Sequence, residues 1–268
     1  MTDRIAGVGP AATPLRDADE TVPAQYATVA AAYSTSAVHA QGSDLHRMVE
    51  LLGPAGTERA IDLGTGTGHA ALRLAGFVAT VDAVDLVPEM LAQATSLAAE
   101  RGIGNVTWHA ADVRALPFRD AAFDLGVTRV SAHHWADVPA GIREAARVLR
   151  PGARLVVIDT VAPDDPGLDS FINAVELLRD PSHGRDLTMP EWARILDEAG
   201  FAVDVSETAP VELIAADWFA RSRTLAWREE AARRLLAEST PLARRTFAVA
   251  DDGSRFALIR GILGATRR

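Results

Sequence analysis

Ile61-Asp62-Leu63-Gly64-Thr65-Gly66-Thr67-Gly68 is the stretch that decides the fold. A short apolar run over residues 59–63 reads as a strand. It breaks into alternating glycines, and residues 70–76 then read as a helix. Strand, glycine loop and helix together begin a βαβ unit. The glycines let the backbone turn tightly and leave room for a ligand against the chain. Their spacing is G-x-G-x-G. A dinucleotide fingerprint wants G-x-G-x-x-G, with its third glycine one position later, where this chain has His69. That difference turns the loop away from NAD.

The alternation continues outward from the loop. Residues 78–86 read as a strand, 88–101 as a helix with Pro88 in its first turn, and 106–110 and 123–127 as strands. A helix follows over 138–149 and stops at Arg150-Pro151-Gly152, and a buried strand covers 154–159. This rhythm predicts an α/β fold, a doubly wound, largely parallel sheet with helices on both faces. Upstream, residues 25–52 show helical spacing in two stripes, separated by an N-cap signal at Gly42-Ser43-Asp44. Downstream, a helix is predicted over 168–179, and Thr188 with Glu191 forms a capping box for a helix ending at Ala199-Gly200. A strand over 201–207, an arginine-rich helix over 217–237 and a closing strand over 255–263 complete the pattern. Residues 1–20 read as a flexible leader, and residues 21–268 as one domain.

Composition removes whole classes of chemistry. The chain has 268 residues, 48% of them hydrophobic, and no cysteine, so disulfides, thiolate metal sites and cysteine nucleophiles are excluded. All 27 basic residues are arginine, which removes P-loop lysines, Schiff-base chemistry and lysine bases. The net charge is −9. Residues 221–268 hold eleven arginines against five acids, so the rest of the chain carries about −15. An acidic body disfavours nucleic acid as a partner, because phosphate binding needs a basic face. No apolar run reaches membrane-spanning length and the first residues lack a hydrophobic signal core, so a cytoplasmic place away from membranes is expected. The arginine-rich segment 221–245 reads as a solvated helix face, with a homodimer contact or attraction of an anionic substrate as alternatives.

Three carboxylates at successive strand ends indicate what the glycine loop holds. Asp85 ends the second strand, 21 residues after Gly64, where an acid accepts both hydroxyls of an adenosyl ribose. Asp112 lies just past the third strand, in position to accept from an adenine amino group. Asp62 stands one residue before Leu63-Gly64, suits an ammonium and repels a pyrophosphate. Ammonium, ribose and adenine on one ligand describe S-adenosylmethionine (SAM).

With those residues in hand, the chain resembles the class I SAM-dependent methyltransferases, in the group that includes ubiquinone and menaquinone methyltransferases. The resemblance rests on Ile61 to Gly68, Val84-Asp85-Leu86-Val87-Pro88-Glu89-Met90-Leu91, Ala111-Asp112-Val113-Arg114-Ala115-Leu116-Pro117-Phe118 and Arg147-Val148-Leu149-Arg150-Pro151-Gly152. It covers about residues 55–207, and departs from the common pattern at Ala153, where a second glycine is frequent. It implies a Rossmann-like seven-stranded sheet of order 3-2-1-4-5-7-6 with strand 7 antiparallel. It implies SAM, with S-adenosylhomocysteine (SAH) as product, held by Asp62, Gly64, Thr65 and Gly66, by Asp85 and Leu86, and by Ala111, Asp112 and Val113. It also implies an N-terminal helical lid over residues 21–53 that brings Tyr33 to the cofactor, and a substrate-side insertion over 160–190. Arg129, directly after the fourth strand, is expected at the SAM carboxylate or a substrate anion, or in a salt bridge to Asp180 or Glu176.

Further stretches, Tyr33 to His39, Arg129 to Asp137 and Phe171 to His183, resemble a bacterial subgroup of that family. His133 and His134 follow the fourth strand at the carboxyl edge of the sheet, where open α/β folds bind ligands. A neutral imidazole there takes a proton near pH 7. Related small-molecule O-methyltransferases use such a histidine with an acid at the end of strand five, which carries over to His133 and Asp159, with His134 as the other candidate. His39, Trp135, Arg179 and His183 are the expected substrate contacts, with Trp192, Trp218 and Trp227 as further aromatic candidates and a polar network for Arg179 and Asp180. No metal is expected. The expected activity is methyl transfer to a small molecule, O-methylation with His133 as base. C- or N-methylation of an aromatic or quinone-type acceptor, and SAM binding without transfer, stand as the alternatives.

Overall fold

The structure, a computed structural model, describes residues 18–34 and 42–268. Two helices lead, α1 (Ala18–Ser34) and α2 (Ser43–Leu52). The alternating part follows: β1 (Arg59–Leu63), α3 (His69–Leu74), β2 (Thr80–Asp85), α4 (Pro88–Glu100), β3 (Val106–Ala110), β4 (Phe123–Arg129), α5 (Val138–Val148) and β5 (Leu149–Thr160). Then come α6 (Pro166–Arg179), α7 (Met189–Glu198), β6 (Phe201–Ile214), α8 (Ala215–Arg221), α9 (Ala226–Ala237), α10 (Pro241–Thr246) and β7 (Arg255–Arg267). The seven strands form one sheet of order β3-β2-β1-β4-β5-β7-β6. β7 runs antiparallel to both β5 and β6, and the pairs among β1 to β5 are parallel. The expected topology is therefore the observed one.

Local sequence explains the elements that position the site. Ala60, Ile61 and Leu63 in β1 are fully buried, as a central strand covered on both faces requires. On one face Phe123, Ile142, Leu149, Leu155 and Trp192 pack under α5 and α7. On the other, Met48, Leu52, Leu74, Val81 and Val156 pack under α2 and α3. A separate apolar cluster joins α6, α8 and α10 to β6 and β7 through Trp218, Phe219, Phe247 and Phe256. α1 lies on α4 through Tyr26, Val29, Ala30, Val87 and Met90. Helix starts are capped as their sequences suggest. Asp137 accepts from Ala140 N–H at 2.8 Å, and Thr188 with Glu191 forms the capping box.

Several boundaries differ from expectation. β6 extends to Ile214, through Pro210, because it is the sheet edge, where a proline removes no ladder bond that the sheet needs. β7 extends to Arg267 beside it. The arginine-rich helix is two helices, α8 and α9, broken where Arg223 takes a φ of 50° and the Thr224 hydroxyl donates to the Arg179 carbonyl. The cap expected at residues 42–44 is also different. Gly42 occupies the N-cap without a side-chain bond, and Asp44 turns into the protein. Of the leader, residues 1–17 lie outside the described residues, and 18–20 already belong to α1.

Candidate functional site

A cleft partly open to solvent lies at the carboxyl ends of the parallel strands. It sits where the strand order reverses between β1 and β4, the usual ligand crevice of a doubly wound sheet. Its two halves are built differently.

The first half is the glycine loop and the acids around it. Gly64, Gly66 and Gly68 have φ of 69°, 54° and 84°, left-handed values that favour glycine. Gly64 is also tight: a Cβ there would lie 1.9 Å from Ser131 Oγ. Thr65 N–H donates to the Val84 carbonyl at 2.9 Å, and Gly66 N–H donates to Asp85 Oδ2 at 2.7 Å, so β2 holds the loop in place. Asp85 also accepts from Val87 N–H at 2.9 Å, and burial pushes its pKa up. Asp62 is 1% exposed. Its Oδ2 accepts from the Thr65 hydroxyl at 2.6 Å and from Ala71 N–H at 3.0 Å. Its Oδ1 is buried with no partner among the described residues. Burial pushes the Asp62 pKa to about 6, against those two hydrogen bonds and with the help of the Asp85 charge. Asp112 is gripped by the Arg114 guanidinium, which holds its pKa below the usual carboxylate range. Leu86, Ala111 and Val113 line the same half.

These residues fit SAM. An orphaned, buried carboxylate oxygen asks for a cationic donor, which an amino-acid ammonium provides. Gly66 leaves the loop open where a Cβ would stand, with Met90 Cε the nearest atom at 3.5 Å, and Asp85 and Asp112 line the cleft at the next two strand ends.

The second half is made of buried side chains from distant segments. β4 ends at Arg129, and Val130 follows with a φ of 52°, an uncommon value for a β-branched residue. Val130 is held there by its N–H bond to the Ile158 carbonyl at 2.7 Å. The strained turn leads into a 3-10 turn, Ala132–His134, that buries both histidines. His133 Nδ1 lies 2.5 Å from Asp159 Oδ1, and His133 N–H donates to Asp159 Oδ2 at 3.1 Å. Burial alone would push the His133 pKa down, but the Asp159 charge and hydrogen bond outweigh it and raise it to about 9. The reciprocal effect holds Asp159 down against its own burial. With Nδ1–H turned to Asp159, Nε2 is the ring nitrogen left for a ligand, and His133 lines the cleft.

His134 is placed differently. Its Nδ1 lies 3.0 Å from the Ser182 carbonyl, which can only accept, so Nδ1 carries the proton. Its Nε2 then accepts from the Tyr26 hydroxyl at 2.7 Å. Burial, then the neighbouring His133 charge, push its pKa down to about 4. A neutral ring with both nitrogens engaged belongs to the frame, although it lines the cleft.

Other expected contacts divide. Arg129 lines the cleft and pairs with Asp44, at 2.9 and 3.0 Å; among the described residues it forms no ion pair with Asp180 or Glu176. The reason is that α2 turns Asp44 inward beside β4. Arg179 lines the cleft, stacks on Trp218 at 4.8 Å and donates to the Trp218 carbonyl at 3.2 Å. Trp135 sits under the glycine loop, its indole N–H donating to Ser131 Oγ at 3.1 Å, so it borders the cofactor half. His183 does not line the cleft. Asn173 Oδ1 bonds its Nε2 at 3.0 Å, which places the ring behind His133. Trp218 lines the cleft, Trp192 is core, and Trp227 is 60% exposed. His39 and the Tyr33 side chain lie outside the described residues. Sequence reasoning missed Tyr26, Asp44, Thr160 and Arg260 as members of the site. Tyr26 showed only as one residue of a helical stripe, and Arg260 as part of a strand.

The comparisons agree with this geometry. Residues 61–157 match the model of a methyltransferase domain. The YcgJ protein of Bacillus subtilis, named as an uncharacterized methyltransferase, is 35% identical over 217 residues, covering 81% of this chain and 86% of that relative. YafE of Escherichia coli is 37% identical over 190 residues, covering 71% of this chain and 92% of the relative. The crystal structure of a putative methyltransferase from Bacillus halodurans superposes with a TM-score of 0.81 at 30% identity, covering 84% of this chain and 99% of that one. Glycine loop, strand order and extended similarity to named methyltransferases converge: the chain belongs to the class I methyltransferase family.

Proposed function

We propose that this protein is a SAM-dependent methyltransferase acting on a small molecule, that the acceptor atom is a hydroxyl oxygen, and that His133 receives its proton. The observation that carries the reading is the buried His133–Asp159 pair, set in the turn after β4 and at the end of β5, with His133 lining the same cleft as Asp62 and the glycine loop. Asp62 binds the ammonium of SAM, Asp85 its ribose and Asp112 its adenine amino group. Bound there, SAM supplies a methyl group on a positively charged sulfur. The chain's own part is to align the acceptor with that methyl, to exclude water and to take up the proton. His133 Nε2 accepts the hydroxyl proton while Asp159 keeps hold of Nδ1–H. A cytoplasmic role in small-molecule biosynthesis belongs to the same reading.

A raised pKa has a consequence for this base. At neutral pH the resting pair holds both ring protons, and the fraction able to accept one climbs roughly tenfold per pH unit towards about 9. Labelled SAM and a panel of hydroxylated acceptors provide the assay. The expected kcat/KM rises with unit slope to about pH 9, and the slope disappears in His133→Gln. Near-wild-type rates in His133→Ala would sink the base role. The same raised pKa favours one second reading, in which charged His133 holds an acceptor that arrives already anionic, such as an enolate carbon. In that case the rate falls, rather than rises, as pH passes 9. Tight SAH binding with no labelled product across a broad panel would instead indicate SAM binding without transfer.

A further inference from the structure

Arg260 is a buried cation that the proposed reaction leaves unused. It lies on β7, opposite Thr160 of β5, so the paired sheet fixes its backbone, and both residues line the cleft. It is 7% exposed. Its Nε and Nη1 are buried with no hydrogen-bond partner among the described residues. The nearest acid is Asp44, whose Oδ2 lies 3.8 Å from Arg260 Nε, beyond hydrogen-bond reach. Asp44 is already committed, because Arg129 donates to both of its oxygens at 2.9 and 3.0 Å. Two guanidinium groups therefore share one carboxylate, and the hydrogen bonds go to Arg129.

A buried guanidinium without hydrogen bonds is costly, and burial and the Arg129 charge both push its pKa down. Such a group persists where a ligand completes it. Glu176 lines the cleft too, with Oε1 buried and unpartnered. Burial raises its pKa against the pull of Arg179, which weakens its repulsion of an anion. Val211, Leu213, Trp218 and Leu258 add apolar surface to the same cleft.

We infer that the methyl acceptor is a small carboxylic acid with an apolar body, whose carboxylate is bound by Arg260. This rests on the methyltransferase reading and names its substrate class. A planar carboxylate matches the guanidinium's fork of donors, and the apolar side chains beside Arg260 suit the body of such an acid.

The test uses the full chain loaded with SAH. Binding of 4-hydroxybenzoate, cinnamate and octanoate is measured by calorimetry, each beside its methyl ester, with phenyl phosphate as a further arm. At least one acid is expected to bind ten-fold or more tightly than its ester. Arg260→Gln is expected to abolish that preference while leaving the SAH affinity within two-fold. Arg260→Lys restores part of the preference and guards against a folding defect in the first variant. Esters binding as well as acids, no binding by any acid, or tighter binding of phenyl phosphate would each overturn the inference. So would a ten-fold loss of SAH affinity in both variants, which would assign Arg260 to the cofactor's own carboxylate. Failure of the wild type to bind SAH at all would instead strike the methyltransferase reading.

Discussion

The two halves of the cleft solve the same problem by opposite means. Around the glycine loop, backbone does the holding: three left-handed glycines and acids whose partners are mostly main-chain N–H groups nearby in sequence. Across from it, the wall is assembled from side-chain pairs that join β4 to β5, α2 to β4, and α1 to the turn after β4. The first half depends on space and conformation. The second depends on charges kept in balance away from water. Substitutions should therefore fail in different ways on the two sides.

Gly64→Ala is expected to have the largest effect. The new Cβ would meet Ser131 Oγ at 1.9 Å and Ser131 Cβ at 2.9 Å, at a φ of 69°. SAH binding should fall more than 100-fold, read by calorimetry. Gly66→Ala sharpens the point, because its φ is also left-handed but the nearest atom is Met90 Cε at 3.5 Å. That variant should lose only the conformational cost, about 1–2 kcal/mol. Equal losses in the two variants would show that collision with Ser131 is not what Gly64 avoids.

The opposite wall should respond to pH instead. The folded-state pKa of His133, about 9, lies above its ordinary value of 6.5. Its pairing with Asp159 thus stabilises the fold fully below about pH 6.5, and that stabilisation is lost as pH rises through about 9. The amount is on the order of 3 kcal/mol for a buried pair of this kind. Urea unfolding between pH 6 and 10 measures it. Asp159→Asn should flatten that dependence and lower the His133 pKa, because the largest influence opposing desolvation is then removed. An unchanged profile in Asp159→Asn would break the pairing argument.

The cofactor half has its own titration, of the other sign and of smaller size. Asp62, with a pKa of about 6, must be ionised to hold an ammonium. SAH affinity is expected to be constant above that pH and to weaken up to ten-fold per unit below it. In Asp62→Asn the affinity should be low and independent of pH over the same range.

What could be read from the sequence follows the same division. Asp62, Gly64, Gly66 and Asp85 act within a span of about 24 residues, through a loop whose spacing is itself the signal, so local pattern was enough. His133 with Asp159 was legible because strands four and five are neighbours in the topology that the alternation implied. Asp44 with Arg129 was not, since Asp44 stood in a position that reads as a helix cap, and only packing of α2 turns it inward. Arg260 lay hidden in an apolar strand whose register with β5 no short-range pattern specifies. His183 misled for a similar reason. Its neighbours Asp180 and Ser182 do reach the His134 network, but the Asn173 bond turns its ring away from the cleft.

Tyr26→Phe is the mildest test of the side-chain half. Its hydroxyl is 2.7 Å from His134 Nε2 and 3.3 Å from Asp180 Oδ2, across 108 and 154 residues of chain. It thereby ties the first helix to the turn after β4. Phenylalanine keeps the ring that packs edge-on against His134 at 5.1 Å, so little apolar contact is lost. What is lost is the donor to a buried acceptor, about 1–2 kcal/mol if nothing replaces it. A water entering from the cleft would reduce that figure, because Tyr26 and His134 both line it. The more telling readout is the imidazole itself. Held neutral at a pKa of about 4 by burial and the His133 charge, His134 should titrate higher once Nε2 is free to take a proton beside Asp180. Histidine NMR between pH 4 and 7 would show that upward shift. An unmoved His134, with unfolding stability also unchanged, would mean that the hydroxyl couples nothing to the acceptor wall and that α1 is held by its packing on α4 and the Gln25 bond to the Ser222 carbonyl.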